Sequence, residues 1–292
     1  MILTKKNKKQ KKRNTNKKRK LYIRRLKHIG GMNNLKNMIT LSILSWKSPL
    51  TLRNTLESYK KNNLFNMVTP HIYFQEKDNN CDNIAKEFGI ENISGNPENV
   101  NLLRAFQAMV TNTHTPYFIF AECDFELVNS EDKTKSILED SIKLITEEDV
   151  KLVRLRDRYN PGTPVYARMS IPVNDEELST YSYENFKYKL EGLLFLDDIE
   201  KSMPNVFTVK APPEYKYKWY ICDFNNSRWG NNIFIASTQF LKDTILPYIS
   251  KFADDPKYVN LESLLSEEQS PINKMLNAGG DGLFKHNRLD RQ

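Results

Sequence analysis

Apolar residues in this chain come in short unbroken runs, alternating with longer stretches where they recur at helical spacing. Met38–Trp46 (MITLSILSW) is the first run, aliphatic and β-branched, the composition of a strand buried on both faces of a parallel sheet. Ser48-Pro49 then predicts a helix start, with serine as N-cap, proline at the tolerated first position, and Leu52, Leu56 and Tyr59 on one stripe. His71–Phe74 reads as a second strand, followed by a helix over about Cys81–Phe88 with Gly89 as its C-cap. A third helix runs from Glu98 to about Thr111, carrying Leu102, Leu103, Phe106 and Met109 or Val110, until Thr115-Pro116 breaks it. Tyr117–Ala121 (YFIFA) is a strand that stops at Glu122-Cys123-Asp124, and a helix over 131–145 and a strand over 150–156 continue the alternation. Such spacing predicts βαβ units and a mostly parallel sheet.

Beyond residue 157 the pattern loosens. Asn160–Glu184, rich in Pro, Asn, Ser and Tyr, reads as loop; residues 205–237 read as short strands, Gln239–Ile249 as a helix, and 258–277 as further helical text. No internal repeat is present, so the change of texture falls inside one α/β domain over 38–292.

Charge divides the chain differently. The 292 residues sum to +8, yet residues 1–31 hold fourteen basic side chains and no acidic one, leaving 30 basic against 36 acidic residues in the remainder. Residues 4–20 offer nothing apolar to bury, so residues 1–37 are expected to form a basic, disordered tail. Such a tail serves nuclear targeting, nucleic-acid binding or attraction to an anionic membrane, or it is a solvated extension. Because the body is acidic, the tail does not decide the function. No run reaches the ~18–20 apolar residues of a membrane span, and no apolar core follows the basic start as in a signal peptide. A cytoplasmic protein is expected, in the host cytoplasm or virion if the source is viral. Cys81, Cys123 and Cys222 are odd in number and lack CxxC spacing, which argues against a disulfide scaffold or a cysteine zinc site.

The chemistry concentrates at Glu122-Cys123-Asp124. Ligands of open α/β sheets bind outside the carboxyl ends of strands, and two carboxylates there suit a hard divalent cation that also bridges a diphosphate. A pair of solvated acids at a strand end is the ordinary alternative. At this point the sequence resembles the GT-A glycosyltransferases, particularly family-2-like members and relatives encoded by giant DNA viruses. Leu44-Ser45-Trp46-Lys47-Ser48-Pro49 looks like the first strand and helix, where the family begins its nucleotide pocket. Glu76 stands where the family often keeps an acidic residue for base or ribose. Gly95–Asn99, Asn101 and Arg104 look like the segment bordering ribose and diphosphate, and Glu122-x-Asp124 occupies the DxD position with Glu in place of the first Asp.

The resemblance implies a GT-A mixed sheet flanked by helices, with a nucleotide-sugar half over 38–157 and an acceptor half over 158–292. It implies a UDP- or GDP-sugar donor, Mn²⁺ or Mg²⁺ held by Glu122, Asp124 and His286, and a diphosphate met by Lys285 and Arg288 in the glycine-rich closing segment 279–288. Trp229, Asn231 and Asn232 resemble an acceptor segment, with the indole offered to a sugar face, the acceptor being a glycan or glycoprotein. An inverting enzyme needs a carboxylate base, for which Glu262 and then Asp223 are the candidates. Two rivals remain. A nucleotidyltransferase would carry a glycine-rich loop after the first strand, where Ser45–Leu50 has no glycine. A non-catalytic polyanion-binding protein would act through the tail in a salt-sensitive way.

Overall fold

The structure, a computed structural model, describes residues 32–162, 199–202, 205–255 and 257–290. The basic residues 1–31 lie outside these, and with them the nucleic-acid or membrane contact expected of the tail; so does most of the Asn160–Glu184 segment. Residues 32–37 correct the tail boundary: they belong to a helix, α1 (Met32–Met38), whose Leu35 and Met38 are buried. The cause is compositional, since the unbroken basic text ends before residue 32 and apolar side chains return.

The expected α/β layers are present. In chain order the strands are β1 (Ile39–Ser45), β2 (Thr69–Phe74), β3 (Ile93–Gly95), β4 (Tyr117–Glu122), β5 (Phe125–Leu127), β6 (Val150–Arg154), β7 (Thr208–Lys210), β8 (Trp219–Asp223), β9 (Phe234–Ser237), β10 (Leu276–Gly280) and β11 (Phe284–His286). Among the described residues nine of them form one sheet in the order β3-β2-β1-β4-β9-β6-β10-β8-β7, while β5 and β11 pair separately. The sheet is mixed but mostly parallel in strand direction, as expected. β3, β2, β1 and β4 run parallel, β9 is antiparallel to both β4 and β6, and β8 is antiparallel to β10 and to β7. β10 is parallel to β6, so β9 and β8 alone run against the other strands of this sheet.

Helices α2 (Pro49–Lys61), α3 (Asn79–Glu87), α4 (Asn101–Thr111) and α5 (Glu131–Glu147) cover the sheet. Strand alternation sends Ile119 and Ala121 of β4 to one face and Phe118 and Phe120 to the other. The first face meets Leu52, Leu56 and Tyr59 of α2 and Ile137 and Leu138 of α5. The second meets Leu103, Phe106, Met109 and Val110 of α4. Each fully buried Leu, Ile, Phe or Met among these contributes roughly 1.5–3 kcal/mol relative to exposure.

The C-terminal text departs most from expectation. Over 258–277 only α6 (Leu261–Leu265) is helical, and the chain then enters β10. The glycine-rich run brings backbone close against protein. A Cβ on Gly280 would lie 2.8 Å from the Trp219 ring, and one on Gly282, at φ +71°, would lie 2.0 Å from the Arg156 carbonyl oxygen. That closeness lets Leu283 N–H reach Leu155 O at 2.7 Å and Asp157 N–H reach Phe284 O at 2.7 Å.

Ser48 does sit at the N-cap of α2, but its hydroxyl bonds Trp46 O instead of capping. Asp290 supplies the cap from the other end of the chain. Its carboxylate accepts Leu50 N–H at 2.8 Å, Thr51 N–H at 3.1 Å and the Thr51 hydroxyl. Partial burial raises the Asp290 pKa, but the hydrogen bonds from Thr51 and Leu50 outweigh it and hold the carboxyl below its usual range. Asp290→Ala is therefore expected to cost about 1 kcal/mol, the usual value of a helix N-cap. A folded-state pKa below the unfolded one stabilises above the unfolded value, near 4, and is lost as pH falls through the folded pKa. Urea melts of the two proteins should accordingly differ at pH 7 and converge below about pH 4.

Candidate active site

Asp124 is held by its backbone from three directions. The Thr55 hydroxyl of α2 donates to Cys123 O at 2.7 Å, the Tyr59 hydroxyl donates to Phe125 O at 2.7 Å, and Asn287 N–H donates to Asp124 O at 2.7 Å. The turn after β4 is thus fixed by one helix and by the C-terminal end of the chain. β11 lies antiparallel on β5, with His286 opposite Phe125 and Lys285 opposite Glu126. Cys123 is buried, and burial followed by the charges of Asp124 and Glu122 pushes its thiol up to about 12. It is inert packing, not a nucleophile.

Asp124, Glu122 and Arg288 line a cavity of about 330 Å³ together with Trp46, Gln75, Asn99 and Asn101. It opens at the carboxyl ends of β1, β2 and β4, where a ligand site belongs. Asp124 is only 1% exposed. Its Oδ2 accepts from Arg288 Nε at 2.9 Å and lies 3.2 Å from His286 Nε2, and a second Arg288 nitrogen bonds the same oxygen. Burial raises the Asp124 pKa, but the hydrogen bonds and charges of His286 and Arg288 prevail and lower it. Glu122 goes the other way. Burial, then the charge on Asp124 and more weakly that on Glu262, pushes it up to about 7, against Arg288. Two carboxylates two residues apart are thereby given different proton affinities by position alone.

The resemblance implies a metal ion here. Among the described residues, no three His, Cys, Asp or Glu side chains converge as a ready-made metal cluster. The donors nevertheless suit one: Asp124 Oδ1 is buried with no hydrogen-bond partner, Glu122 adjoins it, and His286 reaches the other oxygen. Hard oxygens with one imidazole match Mn²⁺ or Mg²⁺, which take the rest of their shells from phosphate and water.

The remaining expected site residues divide. Glu262, on α6, accepts Asn231 N–H at 2.6 Å and is close enough to Glu122 to raise its pKa. Asn231 also donates to Asn260 Oδ1 at 2.8 Å, and Asn232 accepts from Arg156 at 2.9 Å, so both are braced by protein. Trp46 donates to Glu76 at 2.9 Å, and Lys47 pairs with Glu76 at 2.7 Å. Glu76 and Ser45 line a neighbouring cavity of about 250 Å³. Asn101 Oδ1 accepts Arg104 N–H at 3.0 Å, capping the start of α4.

Several expectations are corrected. Asp223 lies at the wrong end of the sheet: it is opposite Leu276 at the start of β10, whereas the site end is marked by Glu122, Phe234 and Gly280. It caps the turn after β8 by accepting Asn226 N–H at 3.1 Å. Trp229 is not a sugar platform, being 2% exposed and stacked on Phe224 with centroids 6.1 Å apart. Arg104 pairs with Asp254 outside the cavity lining. Lys285, between Phe284 and His286 on β11, faces the opposite side of the two-stranded sheet from His286.

The cavity is also lined by Gln75, a residue outside the expected set. Gln75 is 5% exposed; its Oε1 accepts Val100 N–H at 3.0 Å and its Nε2 donates to Asn101 O at 3.0 Å. It ties the end of β2 to the start of α4, and its place directly before Glu76, at the close of an apolar strand, is the only sequence signal it leaves.

No family model and no curated protein matches the sequence. Solved structures do overlay on it. One is a fragment, residues 1–349, of Staphylococcus aureus TarS, at 10% identity and TM-score 0.49, covering 86% of this chain and 60% of that one. Another is the glucosyl-3-phosphoglycerate synthase of Mycobacterium tuberculosis in complex with Mn²⁺, UDP-glucose and phosphoglyceric acid, at 9% identity and TM-score 0.46, covering 90% and 78%. The chain spans less than two thirds of the TarS fragment, and likeness at this level carries no conclusion about activity.

Proposed function

We propose that the chain is a GT-A-type glycosyltransferase that moves a sugar from a UDP- or GDP-sugar to an acceptor hydroxyl. One observation carries this: the C-terminal strand delivers His286 and Arg288 onto Asp124, at the mouth of a cavity outside the carboxyl ends of parallel strands. That is where the closing segment of the resembled family would stand, and β-pairing holds it there.

The roles follow from the contacts. Trp46, Gln75 and Asn101 shape the wall on which a nucleoside rests. Arg288 supplies a planar, permanently charged fork suited to a diphosphate. A divalent ion, when bound by Asp124 with His286, supplies further positive charge where the leaving diphosphate gathers negative charge. Glu262, fixed by Asn231 N–H, is the carboxylate placed to accept the proton of the incoming hydroxyl in an inverting reaction.

Ligands that bind only the folded state raise its stability, by about 2.7 kcal/mol at a hundredfold excess over Kd. For a domain of this size that is roughly 5–10 °C in Tm. UDP or GDP with Mn²⁺ is expected to produce such a shift in a thermal melt, larger than either component alone. If no nucleotide moves the transition with or without Mn²⁺, this function is wrong.

A further inference from the structure

Arg288 brings positive charge to Asp124 and Glu122, the two carboxylates that would hold a cation. Its Nε donates to Asp124 Oδ2 at 2.9 Å, and its terminal nitrogen bonds that oxygen while lying 3.9 Å from Glu122 Oε2. Asp124 is 1% exposed, and its Oδ1 is buried without a partner. A carboxylate so far out of water needs a positive counter-charge, and a second carboxylate beside it sharpens the need.

The backbone around Arg288 is pinned on both sides. Asn287 N–H is bonded to Asp124 O at 2.7 Å, Leu289 N–H to Thr51 Oγ1 at 2.9 Å, and Asp290 caps α2. Arg288 can therefore leave Asp124 only by rotating its side chain, which is 33% exposed and lines the cavity. Two positive charges on one carboxylate repel, so a divalent ion at Asp124 and the guanidinium in its present position disfavour each other.

We propose that Arg288 is a resident counter-ion that keeps the carboxylate pair closed to divalent cations until an anionic ligand of the nucleoside diphosphate class draws the guanidinium into the cavity. Cation and diphosphate then bind synergistically, because each favours the side-chain position the other requires, and linkage makes the coupling reciprocal. The diphosphate half rests on the function proposed above. The competition between Arg288 and the cation rests on the geometry alone.

The test is a Mn²⁺ titration of the full chain, by calorimetry or by the electron paramagnetic resonance of free Mn²⁺. Without nucleotide, Arg288→Gln should bind Mn²⁺ about tenfold tighter than wild type or more, and Asp124→Asn should not bind it. Saturating UDP or GDP should tighten Mn²⁺ binding to wild type by a factor in the usual range of roughly 5–150, and to Arg288→Gln by much less. Arg288→Lys keeps the charge without the fork and should fall between the two; it also serves if Arg288→Gln does not fold. Mn²⁺ affinity in the Arg288 variants equal to or below that of wild type overturns the counter-ion role, even if nucleotides bind. Tighter Mn²⁺ binding in the Arg288 variants with no nucleotide effect on wild type leaves the counter-ion role standing and overturns the diphosphate half, while the proposed function stands or falls on the nucleotide melt above.

Discussion

Asp124→Asn should reduce donor turnover, followed as released UDP or GDP, by at least about a thousandfold, or about 4 kcal/mol of transition-state stabilisation. The substitution keeps the volume and removes one charge. It leaves His286 and Arg288 without the anion they share, and it removes the strongest oxygen donor facing the cavity. Folding should suffer less than activity. Deleting one partner of a fully buried pair costs about 3–5 kcal/mol, but Arg288 is 33% exposed and water takes up part of its charge. Glu122→Gln should do less harm on both counts, because Glu122 is 29% exposed and its nearest cation is 3.9 Å away. Turnover of Asp124→Asn within tenfold of wild type would mean that the reaction is centred elsewhere.

The N-terminal half was legible because its structure is local. Met38–Trp46 and Tyr117–Ala121 announce buried strands by composition, and the observed Ile39–Ser45 and Tyr117–Glu122 differ from them by a residue or so. Ser48-Pro49 fixed the start of α2 although the hydroxyl does not cap it. The identity of the true cap, Asp290, was out of reach, since the contact joins residues about 240 positions apart. The helical reading of residues 258–277 fails beyond α6 for a related reason. Glycine weakens any local case for a strand, yet β10 needs small residues because Trp219 packs against Gly280, a demand made by the partner strand.

The site was half legible. Glu122 and Asp124 could be placed because they end a strand, and strand ends are where α/β sheets present ligands-to-be. His286 and Arg288 were candidates only through resemblance. Their proximity to Asp124 depends on β11 pairing with β5, a three-residue strand that leaves no periodic trace. Glu262 ranks ahead of Asp223 by sequence, though each is an acid at the start of a short helix. Topology separates them, because β8 runs antiparallel to β10 and carries Asp223 away from the site end.

Trp229 is the residue whose assignment changed most, and its truncation should be the largest loss of stability in this group. The indole stacks on Phe224 at 19°, meets Phe234 edge-on at 5.1 Å and Phe106 at 6.5 Å, and is 2% exposed. Trp229→Ala should cost about 3–5 kcal/mol, the usual range for emptying a buried aromatic site. The urea midpoint should fall while the slope stays constant. Trp229→Phe is the sharper comparison. Trp229 Nε1 is buried without a hydrogen-bond partner, so phenylalanine forfeits volume but no polar contact and removes an unsatisfied donor. Its cost should stay below about 1.5 kcal/mol, as for other swaps that largely preserve an apolar core. In folded samples of either variant the nucleotide-induced shift in Tm should match wild type, since Trp229 does not line the cavity. If Trp229→Ala instead kept its urea midpoint and lost only acceptor affinity, the indole would have to be available to a sugar ring, which the aromatic packing around it forbids.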